Sequence, residues 1–141
     1  MQRPVAYRAL FVAVVFILGA TNCSDIVRPA NDLSSLAGTY VLESTSGRYA
    51  PVTGSFVLTA DAGAVRRVRY PATSAPGGSE YVTTGTFDLD RDGTIVFALN
   101  EPCGTATCVW TVHASRTAGH FTLTYPDPAD GPPISETYAR Q

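Results

Sequence analysis

The chain has 141 residues with ten basic and twelve acidic side chains, and 45% of it is apolar. That leaves room for one domain with its own core rather than two, and is too apolar for wholesale disorder. Every basic residue is Arg, and the net charge without the first 22 residues is −4, which argues against a nucleic-acid partner and a polybasic membrane patch.

Met1 to Ala20 reads as an export signal. Arg3 and Arg8 form its positive head, and Ala9 to Ala20 is an uncharged run of twelve residues. Twelve helical residues span only about 18 Å, short of a hydrocarbon core of roughly 30 Å. A signal h-region is therefore expected rather than a permanent anchor. The segment Leu18-Gly-Ala-Thr-Asn-Cys23 resembles the lipobox of bacterial lipoproteins, although Asn22 stands where that family prefers Gly, Ala or Ser. The resemblance implies a signal peptide over 1–22, acylation of Cys23 and attachment to the outer membrane or the periplasmic side of the envelope. Cleavage after Ala20, which would give a secreted or periplasmic soluble protein, is the alternative.

Cysteine parity supports the first reading. Cys103 and Cys108 lie five positions apart and can pair as a disulfide in an oxidising compartment, leaving Cys23 as the odd thiol. Residues 23–36 then read as a polar, lipid-attached tether, with one helical turn capped by Asn31 or Asp32.

From residue 37 onward, short runs rich in Val, Ile, Thr, Tyr and Phe alternate with Gly, Pro and Asp clusters. This pattern predicts an all-β domain. The expected strands are Thr39–Ser46, Ser55–Ala60, Ala64–Tyr70, Tyr81–Leu89, Thr94–Leu99, Cys108–Ser115, His120–Tyr125 and Ile134–Arg140. Period-two spacing puts Tyr40, Phe56, Arg66, Phe87, Phe97, Trp110, Phe121 and Tyr138 on one face, and Glu43, Arg67, Arg69, Thr84, Thr111 and His113 on the other. Asp61-Ala-Gly-Ala, Asp92-Gly93 and Thr117-Ala-Gly119 supply turn residues that tolerate positive φ. A lone sheet cannot hide its apolar face. A small up-and-down antiparallel barrel of about eight strands is therefore expected, with a β-sandwich as the alternative.

The opening Leu36-Ala-Gly-Thr-Tyr40 resembles that of the lipocalin-like (calycin) barrels, with Tyr in place of Trp in their Gly-x-Trp motif. The same stretch is similar to small bacterial lipoproteins that share this opening. The resemblance implies that Arg140, on the last strand, packs over the Tyr40 ring and closes the barrel floor. It also implies a cup for a small apolar or amphipathic ligand, lined by Tyr40, Phe56, Arg66, Phe87, Phe97, Trp110 and Tyr138. A filled core formed by the same inward residues is the competing expectation. Small bacterial protease inhibitors have a similar opening after a flexible arm, so a non-enzymatic interaction or structural lipoprotein acting through its loops stays open beside ligand binding.

Asp88-Leu-Asp-Arg-Asp-Gly93 matches the start of a calcium loop, but the twelfth position, Leu99, has no carboxylate and the flanks read as strands. An acidic turn between strands is the reading adopted. No G-x-S-x-G, H-E-x-x-H or phosphate loop is present. His113 and His120 read as surface residues, and Glu80, Glu101 and Glu136 show no spacing that pairs carboxylates. No enzymatic activity, metal or cofactor is expected. The expected partners are the membrane, through the anchor, and a small ligand, with the chain as a monomer.

Overall fold

The computed structural model describes residues 33–72 and 78–141. The expected signal peptide, Cys23 and the expected tether up to Asp32 lie outside the described residues. No helix among the described residues is long and apolar enough to cross a membrane.

A 3-10 turn at Leu33–Leu36 is followed by eight strands: β1 (Gly38–Ser46), β2 (Thr53–Leu58), β3 (Gly63–Arg69), β4 (Glu80–Leu89), β5 (Ile95–Cys103), β6 (Ala106–Thr117), β7 (His120–Tyr125) and β8 (Ile134–Arg140). Each pairs antiparallel with the next, and β8 pairs back onto β1. The result is the closed up-and-down, lipocalin-like barrel rather than the sandwich. Closure leaves no strand edge unpaired, which an apolar sheet of this size requires. Buried Leu36 and the packed Leu33 belong to the core of the barrel, although the sequence reading places residues 23–36 in the tether.

Hairpin connections define two ends. The lower end carries the 3-10 turn, the turns at 59–62, 90–94 and 118–119, and Arg140. The upper end carries the loops at 47–52, 104–105 and 126–133, together with residues 70–72 and 78–79.

Strands β5 and β6 extend beyond their expected ends. Their ladder continues from Asn100↔Val109 to Cys103↔Ala106. The Cys103–Cys108 disulfide staples the tip, with Cα atoms 5.7 Å apart. Most of these residues stand in solvent, so no apolar alternation marks them in the sequence. At the lower end the turn chemistry differs in one place from expectation. Ala62, not Gly63, takes the left-handed conformation, with φ 69°. Gly63 is needed for another reason. A Cβ there would lie 2.5 Å from Thr59 Oγ1, the atom that accepts the Gly63 N–H at 2.9 Å. The Asp88–Gly93 segment is the expected turn: Asp88, Asp90 and Asp92 each accept a backbone N–H, from Leu89, Arg91 and Thr94.

Candidate functional site

The middle of the barrel is solid. Phe56 lies 4.9 Å from Phe97 and 4.9 Å from Tyr138, ring centroid to centroid, and Phe121 stacks on Tyr138 at 5.3 Å. Tyr40 and Phe87 extend this cluster through Phe121 and Phe97. These offset and edge-on pairs are the geometries that ring quadrupoles favour. The inward residues Tyr40, Phe56, Phe87, Phe97 and Tyr138 thus pack against one another and against Leu58, Leu99 and Leu123.

Below this cluster the floor closes as the calycin resemblance implies. The Arg140 guanidinium carbon lies 6.0 Å from the Tyr40 ring centroid. Its Nη1 and Nη2 donate to the Ser35 and Ala37 carbonyls at 3.0 and 2.6 Å. The Tyr40 hydroxyl donates to the Leu36 carbonyl at 3.0 Å. One arginine and one tyrosine therefore tie the 3-10 turn under the barrel. Gly38 sits against them, since a Cβ there would lie 3.1 Å from Arg140 Nε.

Above the aromatic cluster the interior becomes polar. Arg66, only 1% exposed, points inward from β3 as its register with Val68 requires. It donates through Nη2 to Glu136 Oε1 at 2.6 Å, and Glu136 is fully buried. The Tyr125 and Tyr138 hydroxyls donate to Glu136 Oε1 and Oε2, each at 2.5 Å. Gly54 leaves room for this network, because a Cβ there would meet the Tyr138 hydroxyl at 3.0 Å. Burial alone would lower the affinity of Arg66 for its proton, but the Glu136 carboxylate together with the Tyr138, Tyr70 and Tyr125 phenols outweighs it and holds the guanidinium charged. Burial and the same carboxylate push the Tyr125 and Tyr138 phenols well above their ordinary value.

Toward the upper end the polar layer is continued by half-buried side chains: Glu101, Trp110, Tyr125, Tyr70 and Tyr81. Arg66 lies 5.4 Å from the Trp110 ring centroid, a cation–π contact in a desolvated setting. Partial burial raises the Glu101 carboxyl, against the opposing pull of Arg66. Burial also raises the Tyr81 phenol, with Glu101 adding to it. Two atoms stand out. Arg66 Nε and Thr83 Oγ1 are the buried side-chain polar atoms without a hydrogen-bond partner among the described residues. They belong to directly opposed residues of β3 and β4, whose side chains share the inner face about 5 Å apart at Cβ. Leaving such a group unpaired costs about 1–3 kcal/mol.

Of the residues expected to line a cup, Arg66 and Trp110 therefore lie in this upper layer, with Tyr138 at its base. The other four lie in or below the aromatic cluster. Glu136, for which the sequence reading considered only pairing with another carboxylate, is bound instead by Arg66, Tyr125 and Tyr138. It is the hub of the network, and its signal was the inward period Ile134, Glu136, Tyr138 on β8. Thr83 carried a similar signal, two and four positions before Gly85 and Phe87. Among the described residues no group of three His, Cys, Asp or Glu is arranged to hold a metal. Comparison with family models, curated proteins and solved structures yields no match.

Proposed function

We propose that this chain is an exported, lipid-anchored barrel of the bacterial envelope that binds one small amphipathic molecule at its upper mouth. The single observation behind this reading is the two unsatisfied atoms, Arg66 Nε and Thr83 Oγ1, on directly opposed residues of β3 and β4 beside half-buried aromatic side chains. Arg66 has its charge balanced by Glu136, so the group it would receive is neutral. A carbonyl or hydroxyl oxygen would accept from both the Arg66 Nε–H and the Thr83 hydroxyl. The apolar body of the ligand would lie against Trp110 and the upper tyrosines, as small-molecule sites combine an apolar lining with few polar anchors.

The test is native mass spectrometry of the protein purified gently from its own host. A co-purifying mass of a few hundred daltons is expected, reduced in Thr83→Val and Trp110→Ala. A bare mass in the unmodified chain would overturn ligand binding. The anchor has its own test: Cys23→Ser should move the protein from the membrane pellet to the soluble fraction, and retention in the pellet would overturn lipidation.

A second reading rests on the filled aromatic core together with exposed apolar side chains toward the upper end. Val52 on the 47–52 loop, Val82 on β4 and Val109 on β6 are 58%, 44% and 63% exposed. On that reading the chain is a non-enzymatic interaction protein working through its upper rim, and the bare mass would favour it.

A further inference from the structure

The lower end of the barrel carries a second concave feature, independent of the upper mouth. A groove of about 400 Å³ runs between the Leu33–Leu36 turn and the β6–β7 hairpin. Leu36, 8% exposed, and the more deeply buried Ile95 and Phe121 form its base, while Arg116, His120 and Arg140 line it with basic groups. Among the described residues the Arg116 side chain has no hydrogen-bond or ion-pair partner. Arg140 has no carboxylate within ion-pair distance there, and spends its donors on the Ser35 and Ala37 carbonyls. His120 Nε2 lies 3.4 Å from the Glu43 carboxylate, and its Nδ1 lies 3.1 Å from the Ala118 carbonyl. Two guanidinium groups thus line one groove with no carboxylate within ion-pair distance of either among the described residues, on a chain that is acidic overall. Like charges held together in this way repel unless an anion joins them, and guanidinium forks match the oxygens of phosphate and carboxylate.

We propose that this groove binds the anionic oxygen group of an amphiphile, a phosphate or carboxylate seated between Arg116 and Arg140, with its apolar portion along Leu36, Ile95 and Phe121. The site needs no ligand in the upper mouth and stands if that reading fails. A lipid headgroup and a free phosphate ester share this chemistry, and the probes below separate them.

The experiment is isothermal titration of the full chain in a non-ionic detergent with two probes, dihexanoyl phosphatidic acid and inorganic phosphate. Saturable one-to-one binding of the lipid is expected. Arg116→Gln, a change to a side chain without partners, should weaken it about tenfold. Arg91→Gln removes an exposed charge from the same end, outside the groove, and should leave binding unchanged. Lipid binding about tenfold tighter than phosphate would assign the groove to a headgroup with its apolar attachment. Equal affinities would support the anion site and assign it to free phosphate esters. No saturable binding of either probe would overturn the proposal, and so would an unchanged affinity in Arg116→Gln. An equal loss in Arg91→Gln would do the same, since it would reduce the effect to the net charge of that end.

Discussion

Arg66 on β3 and Glu136 on β8 meet across the lumen at 2.6 Å, and neither side chain reaches water. A pair of this kind contributes little net stability as a unit, because desolvating both charges offsets their attraction. Breaking one half is costly, because the survivor is left as an uncompensated buried charge. Glu136→Leu should therefore destabilise the barrel by about 3–5 kcal/mol in urea denaturation. The double variant Arg66→Met, Glu136→Leu should recover most of that loss. A double variant as unstable as the single one would mean that the hydrogen bonds to Tyr125 and Tyr138, rather than the charge, are what the site needs.

The two phenols on Glu136 define an alkaline limit. Their folded values lie above the ordinary tyrosine value of 10.0, so above pH 10 the unfolded chain releases protons that the folded chain keeps. Stability from these groups is complete below that pH and falls as the pH rises beyond it. Absorbance at 295 nm should show Tyr125 and Tyr138 ionising only as the barrel unfolds. In Tyr125→Phe one phenol fewer should appear in that late step. Ionisation of all tyrosines together, with the far-ultraviolet dichroism unchanged, would contradict the buried network.

At the floor, Arg140 contributes two backbone hydrogen bonds and one ring contact while its charge stays near solvent. Arg140→Ala should cost about 1–2 kcal/mol. Amide exchange at residues 33–38 should accelerate more than exchange in β4 and β5. Arg140→Lys should restore only part of the loss, since an ammonium cannot reproduce the planar fork that reaches Ser35 and Ala37 together. Uniform acceleration across the barrel would show that the 3-10 turn is not specifically tied by this residue.

The disulfide bridges a separation of five residues at an exposed hairpin tip. Closing so short a loop restricts the unfolded chain only modestly, by about 2 kcal/mol in the loop-entropy description. Cys103→Ser with Cys108→Ser should therefore lower stability by about that amount and leave the folded dichroism spectrum unchanged. Loss of the fold would mean that the tip organises more of β5 and β6 than its exposure suggests.

Alternation along the chain was enough to identify the strands and their inward faces, because burial on one face of a strand imposes a period of two whatever the neighbouring strands do. Tyr40, Phe56, Phe97 and Tyr138 could be assigned to the interior on that ground alone, and Arg140 could be placed over Tyr40 through the resemblance of the opening strand. Arg66 already stood out as a charge on an apolar face. The partner of that charge was not readable, since Glu136 lies seventy residues away and only closure of β8 against β1 brings it across the lumen. The same holds for Arg66 Nε beside Thr83, and for the meeting of Arg116 with Arg140 below. Periodicity along one strand decides which face a side chain takes. Which side chains then share a site depends on the register of every intervening strand, which the tertiary structure alone decides.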